Sequence, residues 1–290
     1  MRSVTSSFLN AAIVAMGLVA AVTVAAQTPA GSSVNCKVAG RGLSVIGLTA
    51  DQRLICFKDS RPSVSSTIGK ITGLANGETT LIGIDFRVQD GNLYGVGNAG
   101  GVYRLSTTNA AATLVNSLTI PLDGTSFGVD FNPAADRLRV VSDKGQNLRH
   151  NVNAGGTTIK DGVLSYTAPE AAAGVTGAAY TNNDLDPNTG TTLFDIDTVL
   201  DQVALQSPAN AGTLVATGKL TLEVDSSAGF DIHSAVRNGI TVNEGFAALR
   251  SPSNNIAFYS ISLLTGKATS RGDFSGTDRV VDIAIPLGQR

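Results

Sequence analysis

Four aspartates carry the densest chemical signal in this 290-residue chain. Asp85, Asp130, Asp231 and Asp282 each stand in a recurring phrase: Gly83-Ile84-Asp85-Phe86, Gly128-Val129-Asp130-Phe131, Gly229-Phe230-Asp231-Ile232 and the weaker Val280-Val281-Asp282-Ile283. A fifth echo, Gly177-Ala178-Ala179-Tyr180, places alanine where the acid should be. Carboxylates are hard oxygen ligands of the kind calcium takes. Facing one narrow channel at about 7 Å, each pair would repel by roughly 2 kcal/mol at an effective dielectric near 20. They would then need a shared proton or a bound cation, and calcium is the cofactor this pattern suggests. The structural reading is that side chains alternate along a strand, so Ile84 and Phe86 point one way and Asp85 the other. A carboxylate buried between packed sheets accepts backbone N–H groups from the neighbouring sheet. A need shared by every sheet repeats the residue, whereas binding sites more often break repeat symmetry.

A second polar cluster lies in the third repeat. Arg137 and Arg139 share one face of a predicted strand, and Gln146, Asn147 and Arg149 follow one turn later. Guanidiniums so grouped clamp a carboxylate, a phosphate or an acidic sugar, which makes these five residues candidate ligand contacts. The competing reading pairs the arginines with the nearby acids Asp130, Asp136 and Asp143. Asp184-Leu185-Asp186-Pro187-Asn188-Thr189-Gly190, with Asp195 further on, resembles a calcium loop, but its glycine comes one place late and the segment also fits a surface turn. Nucleophilic catalysis lacks its parts. His150 and His233 are the only histidines, and no Gly-x-Ser-x-Gly elbow, Walker loop or dinucleotide fingerprint occurs.

The elements that must position these residues follow from the spacing. Positions 85, 130, 179, 231 and 282 are 45, 49, 52 and 51 residues apart. A period near fifty filled with short strands and turns is the pattern of a propeller. The second repeat predicts strands at 80–86, 93–96, 102–105 and 113–118, the first two joined through an Asp90-Gly91 turn. Repeats three to five run over 126–160, 174–218 and 226–273. The first repeat offers strands at 43–48, 54–57 and 64–71 but lacks an innermost one. The strand at 279–286 has no blade after it. The expected fold is therefore all-β: a β-propeller of five four-stranded blades, closed by the C-terminal strand pairing into the first blade. Closure removes the unpaired edges that template aggregation. One helical turn is expected at 168–173, where Ala and Glu follow Pro169.

The ends and the composition bound the rest. Arg2 followed by the apolar, Ala-rich stretch 8–26 reads as a signal peptide over 1–26, cut after Ala26; the stretch is also just long enough to be an uncleaved anchor. Residues 27–42 read as a flexible lead-in and 43–290 as one propeller domain. Cys36 and Cys56, the only cysteines, predict a disulfide in an oxidising compartment. A net charge of −2 and a charged fraction of 15% leave no basic footprint for nucleic acid. No basic amphipathic segment suggests a membrane surface once the signal is removed.

The phrases Leu81 to Arg87, Phe127-Gly128-Val129-Asp130-Phe131-Asn132-Pro133, Asp136-Arg137-Leu138-Arg139-Val140-Val141-Ser142, Gly145-Gln146-Asn147-Leu148-Arg149 and Gln206-Ser207-Pro208-Ala209-Asn210 resemble the signature of a family of secreted bacterial proteins. That family carries a propeller-like domain of unknown function. The resemblance covers about residues 43–287 and implies the fold and a periplasmic or extracellular location; it supplies no catalytic residues. The resulting expectation is a secreted, non-enzymatic binding or scaffold module whose partner is a small molecule, a glycan or a protein. The alternative is a calcium-dependent enzyme of the lactonase or lyase kind, which rests on fold analogy.

Overall fold

The computed structural model describes residue 32, residue 34 and residues 36–289 apart from 76, 187, 188 and 239. Residues 1–26, where the signal peptide is expected, fall outside the described residues, as does most of the expected lead-in before Cys36. Twenty strands form five four-stranded antiparallel sheets. In chain order, β1 (Ser44–Thr49), β2 (Arg53–Lys58) and β3 (Arg61–Lys70) belong to blade one. Blade two holds β4 (Leu81–Phe86), β5 (Leu93–Gly97), β6 (Gly101–Leu105) and β7 (Ala112–Ser117). Blade three holds β8 (Phe127–Asn132), β9 (Arg137–Ser142), β10 (Asn147–His150) and β11 (Thr158–Lys160). Blade four holds β12 (Val175–Tyr180), β13 (Leu193–Asp197), β14 (Gln202–Gln206) and β15 (Leu214–Lys219). Blade five holds β16 (Ala228–Arg237), β17 (Ile240–Arg250), β18 (Ile256–Ile261) and β19 (Ala268–Asp273).

The last strand, β20 (Val280–Ala284), returns to blade one and pairs antiparallel with β1, setting Ile46 opposite Ala284 and Leu48 opposite Asp282. Blade one is therefore built from both ends of the chain, and the ring closes as the spacing predicts. The innermost strands touch in the sequence β20, β4, β8, β12, β16 and back to β20. The ring is tight enough that β8 and β16, two blades apart, also approach each other.

Each pair of blades buries its own apolar core, since both faces of a blade are covered. Ile46, Leu48 and Leu54 pack against Leu81 and Ile84 between blades one and two. The closing seam is aromatic: Phe57 meets Phe258 and Phe274 edge-on, at 5.1 Å in each case. Such pairs contribute beyond their buried area. The glycine of the repeated phrase explains the tightness. A Cβ at Gly83 would stand 2.5 Å from the Val129 side chain, one at Gly128 2.6 Å from the backbone nitrogen of Ala178, and one at Gly229 2.5 Å from the Cα of Asp282. In each case the neighbour is on the innermost strand of the next blade; at Gly128 and Gly229 it is backbone, so there the glycine is where two strand backbones come together, and at Gly83 it is the Val129 side chain.

Cys36 and Cys56 are bonded, which ties the lead-in to β2. Ser32 donates to the carbonyl of Gly91 at 2.8 Å, adding a polar tie from the lead-in to blade two. No helical turn forms at 168–173. The segment makes a tight turn instead, with Thr167 bridged to Glu170 and the Ala172 N–H donated back to the Leu164 carbonyl at 2.7 Å. The described residues contain a single short 3-10 turn, Ala209–Ala211, and no α-helix.

Candidate functional site

The four repeated aspartates sit on the innermost strands β4, β8, β16 and β20 and are between 2% and 7% exposed. Each reaches forward to the next blade. Asp282 Oδ2 accepts the N–H of Ile84 at 2.7 Å, Asp85 Oδ2 that of Phe131 at 2.7 Å, Asp130 Oδ1 that of Tyr180 at 3.1 Å, and Asp231 Oδ2 that of Ile285 at 2.6 Å. Asp85 and Asp231 also accept the N–H of the following residue through Oδ1, both at 2.6 Å. Charge-assisted bonds of this kind are stronger than neutral ones, and here they run from blade to blade. Blade four carries Ala179 at this place. Its seam with blade five is held further along, where Asn182 N–H donates to Ser234 Oγ at 2.8 Å and Asn183 Nδ2 donates to the Ile232 carbonyl at 3.0 Å.

The same geometry concentrates charge on the ring axis. Asp85, Asp130 and Asp231 each place a carboxylate oxygen within 4.8 Å of the other two. Asp282 lies nearby without joining that trio, so the structure brings three of the four together. Fully ionised, each pair at that distance would repel by about 3.5 kcal/mol at an effective dielectric near 20. Burial pushes Asp85 well above the usual carboxylate range, and the charge of Asp231 adds to it. Asp130 rises for the same reason, with Asp85 its largest charged neighbour. Burial lifts Asp231 to about 7 and raises Asp282 well above its ordinary value.

The arginine cluster of blade three is divided. Arg139 is 1% exposed, and its guanidinium serves four oxygens. Nη1 donates to Asn147 Oδ1 at 2.6 Å and Asp161 Oδ2 at 2.7 Å, Nη2 to Asn210 Oδ1 at 2.9 Å, and Nε to the Tyr180 hydroxyl at 3.2 Å. Arg149 shares Asp161 at 2.6 Å. Arg137 donates to the carbonyls of Ala135 and Asp136 in its own turn, and Gln146 fastens the 121–123 segment. The expected ion pairs with local acids do not form. Asp136 is held by Arg87, Asp143 by Thr125, and Asp130 faces the axis. Asp161, Tyr180 and Asn210 take their place, two of them from blade four, which makes Arg139 a rivet between blades three and four. The loop at 184–190 lies partly outside the described residues, and Asp184 Oδ1 there accepts the N–H of Asp186 at 2.9 Å. Asp195 is buried in β13 facing the seam with blade three, with no hydrogen bond to either oxygen, and burial raises it well above its usual value.

A groove of about 750 Å³ lies over blades four and five. Phe194, Phe246 and Ile261 contribute apolar walls, and Asn182, Asn243, Ser260 and Thr269 add polar groups. Arg271 stacks its guanidinium 5.6 Å from the Phe246 ring centre, and its nearest carboxylate, Asp59, is 4.0 Å away. Lys267 lines the same space and makes no ion pair among the described residues. The hairpin of β16 and β17 stands beside it. Those strands have 10 and 11 residues, while the other innermost strands have five or six. Four extra residues carry the hairpin about 13 Å past the ring at about 3.3 Å per residue. Its tip leaves Val236 and Ile240 70% and 68% exposed. These groove residues come from separate segments, so no sequence phrase announces them. The legible signal is the long alternating run around Asn238-Gly239, a strong hairpin dipeptide.

Residues 53–284 match the profile of a family described as a domain of unknown function (DUF4394). No curated protein matches the chain. Among solved structures, a protein from Lactobacillus plantarum aligns at 12% identity and a TM-score of 0.42, over 84% of this chain and 99% of that one. A structural genomics protein of unknown function from Bacteroides thetaiotaomicron aligns at 12% identity and a TM-score of 0.43, over 83% of this chain and 61% of that one. BamB from Moraxella catarrhalis aligns at 12% identity and a TM-score of 0.32, over 84% and 74%.

Proposed function

We propose, for a chain that belongs to the DUF4394 family, that it is an exported binding module which holds an acidic, partly apolar ligand in the groove over blades four and five. The observation that carries this reading is the pairing of Lys267 and Arg271 with the Phe194 and Phe246 walls in one cavity of ligand size. Lys267 makes no ion pair among the described residues, Arg271 meets Asp59 only at 4.0 Å, and Glu244, which also lines the groove, stands 3.4 Å from Arg237. The exposed apolar tip of the long hairpin extends the contact surface to one side. Acidic sugars and cell-wall fragments have this chemistry, as does a protein segment with an acidic end. Neither histidine lines the groove, which supports binding over hydrolysis. The Cys36–Cys56 disulfide and the apolar N-terminal stretch support export to the periplasm or beyond.

The test is a thermal-shift screen of the purified chain against acidic sugars and cell-wall fragments, repeated with Lys267→Glu and Arg271→Glu. A ligand that raises the Tm of the wild type and loses its effect in both reversals supports the groove. Ligands that bind both reversals unchanged, or an entire panel without a shift, would sink it. Turnover of a bound lactone or acidic sugar that stops with chelator would favour the calcium-dependent enzyme instead.

A further inference from the structure

We infer, on the reading that the groove over blades four and five is where a ligand is held, that its occupant is an extended peptide segment with alternate acidic side chains, added as a strand to the open edge of β17. The first support is register. β16 covers β17 from Ile240 to Leu249, whereas β18 covers it only from Gly245 to Arg250. Residues 240–244 therefore have a strand partner on one side alone among the described residues. The hairpin closes with Arg237 opposite Ile240, and the pair flanking a two-residue turn exchanges both of its backbone bonds. Bonded and non-bonded pairs alternate from there. Ile240, Val242 and Glu244 thus bond to β16, while Thr241 and Asn243 turn their N–H and C=O groups the other way, to where β18 would continue. β18 stops instead at Ile261, and the chain turns off over residues 262–267 to lie against Gly218 of blade four. A row of unpaired donors and acceptors of this kind is a template for a further strand.

The second support is the groove around that edge. Asn243 and Glu244 line it, so the open edge faces the cavity. A strand set about 4.8 Å from β17 alternates its side chains between two walls. On one side Asn243 Nδ2 donates to Asn182 Oδ1 of blade four at 3.0 Å, and Phe194 belongs to the same wall. On the other, Arg271 lies 5.6 Å from the ring centre of Phe246 and 4.0 Å from Asp59 of blade one. Apolar side chains suit the first wall and acidic ones the second. Main-chain bonds would supply affinity, and the two walls the choice of sequence. A sugar has no regular row of amides to match Thr241 and Asn243, which is why a peptide fits this edge.

The test is fluorescence polarisation of the full chain with a labelled, end-capped pentapeptide alternating valine and glutamate. Two further versions carry N-methyl groups on the amides of the valines or of the glutamates, which removes pairing along one edge or the other and leaves every side chain in place. At least one of them is expected to bind about tenfold more weakly or worse, as is a version with lysine for glutamate. Thr241→Pro takes away one outward N–H without touching a bond to β16 and should weaken the parent peptide by at least about fivefold. The peptide comparison needs no altered protein, so it stands should that variant not fold. No binding of the parent peptide, or equal binding by all three backbone versions, would overturn strand addition. Acidic sugars that still depend on Lys267 and Arg271 would then leave the groove as a ligand site with a different occupant. Sedimentation showing dimers that Thr241→Pro dissociates would give the edge to a second copy and overturn it as well.

Discussion

The Asp282 carboxylate accepts the backbone N–H of Ile84 at 2.7 Å, across 198 residues of chain. That contact fastens the last strand of the protein to the innermost strand of blade two, while the same strand pairs with β1 on its other side. Asp231 completes the circuit by holding Ile285. Ring closure is thus a matter of three separate attachments on a segment of about ten residues.

Truncation after residue 275 should therefore unfold the whole domain and not fray one end. It removes β20, leaves β1 as an open edge and orphans the N–H of Ile84. Thermal melts and size-exclusion chromatography of the truncated chain check this; a truncated protein that keeps the full-length Tm would contradict it.

Gly229→Ala should cost about 1–3 kcal/mol, because the added methyl meets the backbone of Asp282 and no flexible side chain can yield. Gly77→Ala is the control for a glycine in open space, although its positive φ of 79° adds its own strain. Urea denaturation measures both, and equal small losses would remove the close-approach explanation.

Arg139→Ala should lose about 3–5 kcal/mol, since it strips Asp161, Asn147 and Asn210 of a shared buried partner. Arg139→Lys should recover little, because an ammonium cannot reproduce a fork that serves four oxygens. A lysine variant as stable as wild type would show that charge alone matters there.

His150 should set an acid limb of stability. Its ring is buried between Thr158 Oγ1 at 3.0 Å and Asn116 Oδ1 at 2.9 Å, and burial, with Arg137 adding, lowers it to about 4. The folded value lies below the unfolded one, near 6.5, so the unfolded chain takes the proton first. Stability falls as pH drops from about 6.5 to about 4, and this group contributes nothing above that window. Asp231, raised to about 7 by burial, acts in the opposite direction, which is why the comparison must be between variants. Melts from pH 8 to pH 4 should show a shallower acid slope in His150→Gln than in wild type; parallel slopes would exclude the assignment.

What the sequence determined by itself is the architecture. The period near fifty, the Gly-hydrophobe-Asp phrase and the strand left over at 280–284 lead to five blades and a shared first blade, because strand alternation and turn chemistry are local properties written in consecutive residues. The cysteine count likewise predicts the bond between Cys36 and Cys56. The helical turn expected at 168–173 did not form, since the backbone there pairs Thr167 with Glu170 and Ala172 with Leu164, partners that composition does not announce. The site belonged to the tertiary structure. Arg139 looks like a free cation beside Asp136, yet its partners Asp161, Tyr180 and Asn210 arrive from 22, 41 and 71 residues away. Lys267 and Arg271 share a cavity with Asn182 only because blades four and five stack. Three aspartates of equal rank in the repeat become one charged centre because the ring is narrow enough for blades two, three and five to meet at its axis. Distances across a closed ring depend on how every seam packs, and no single stretch of chain contains them.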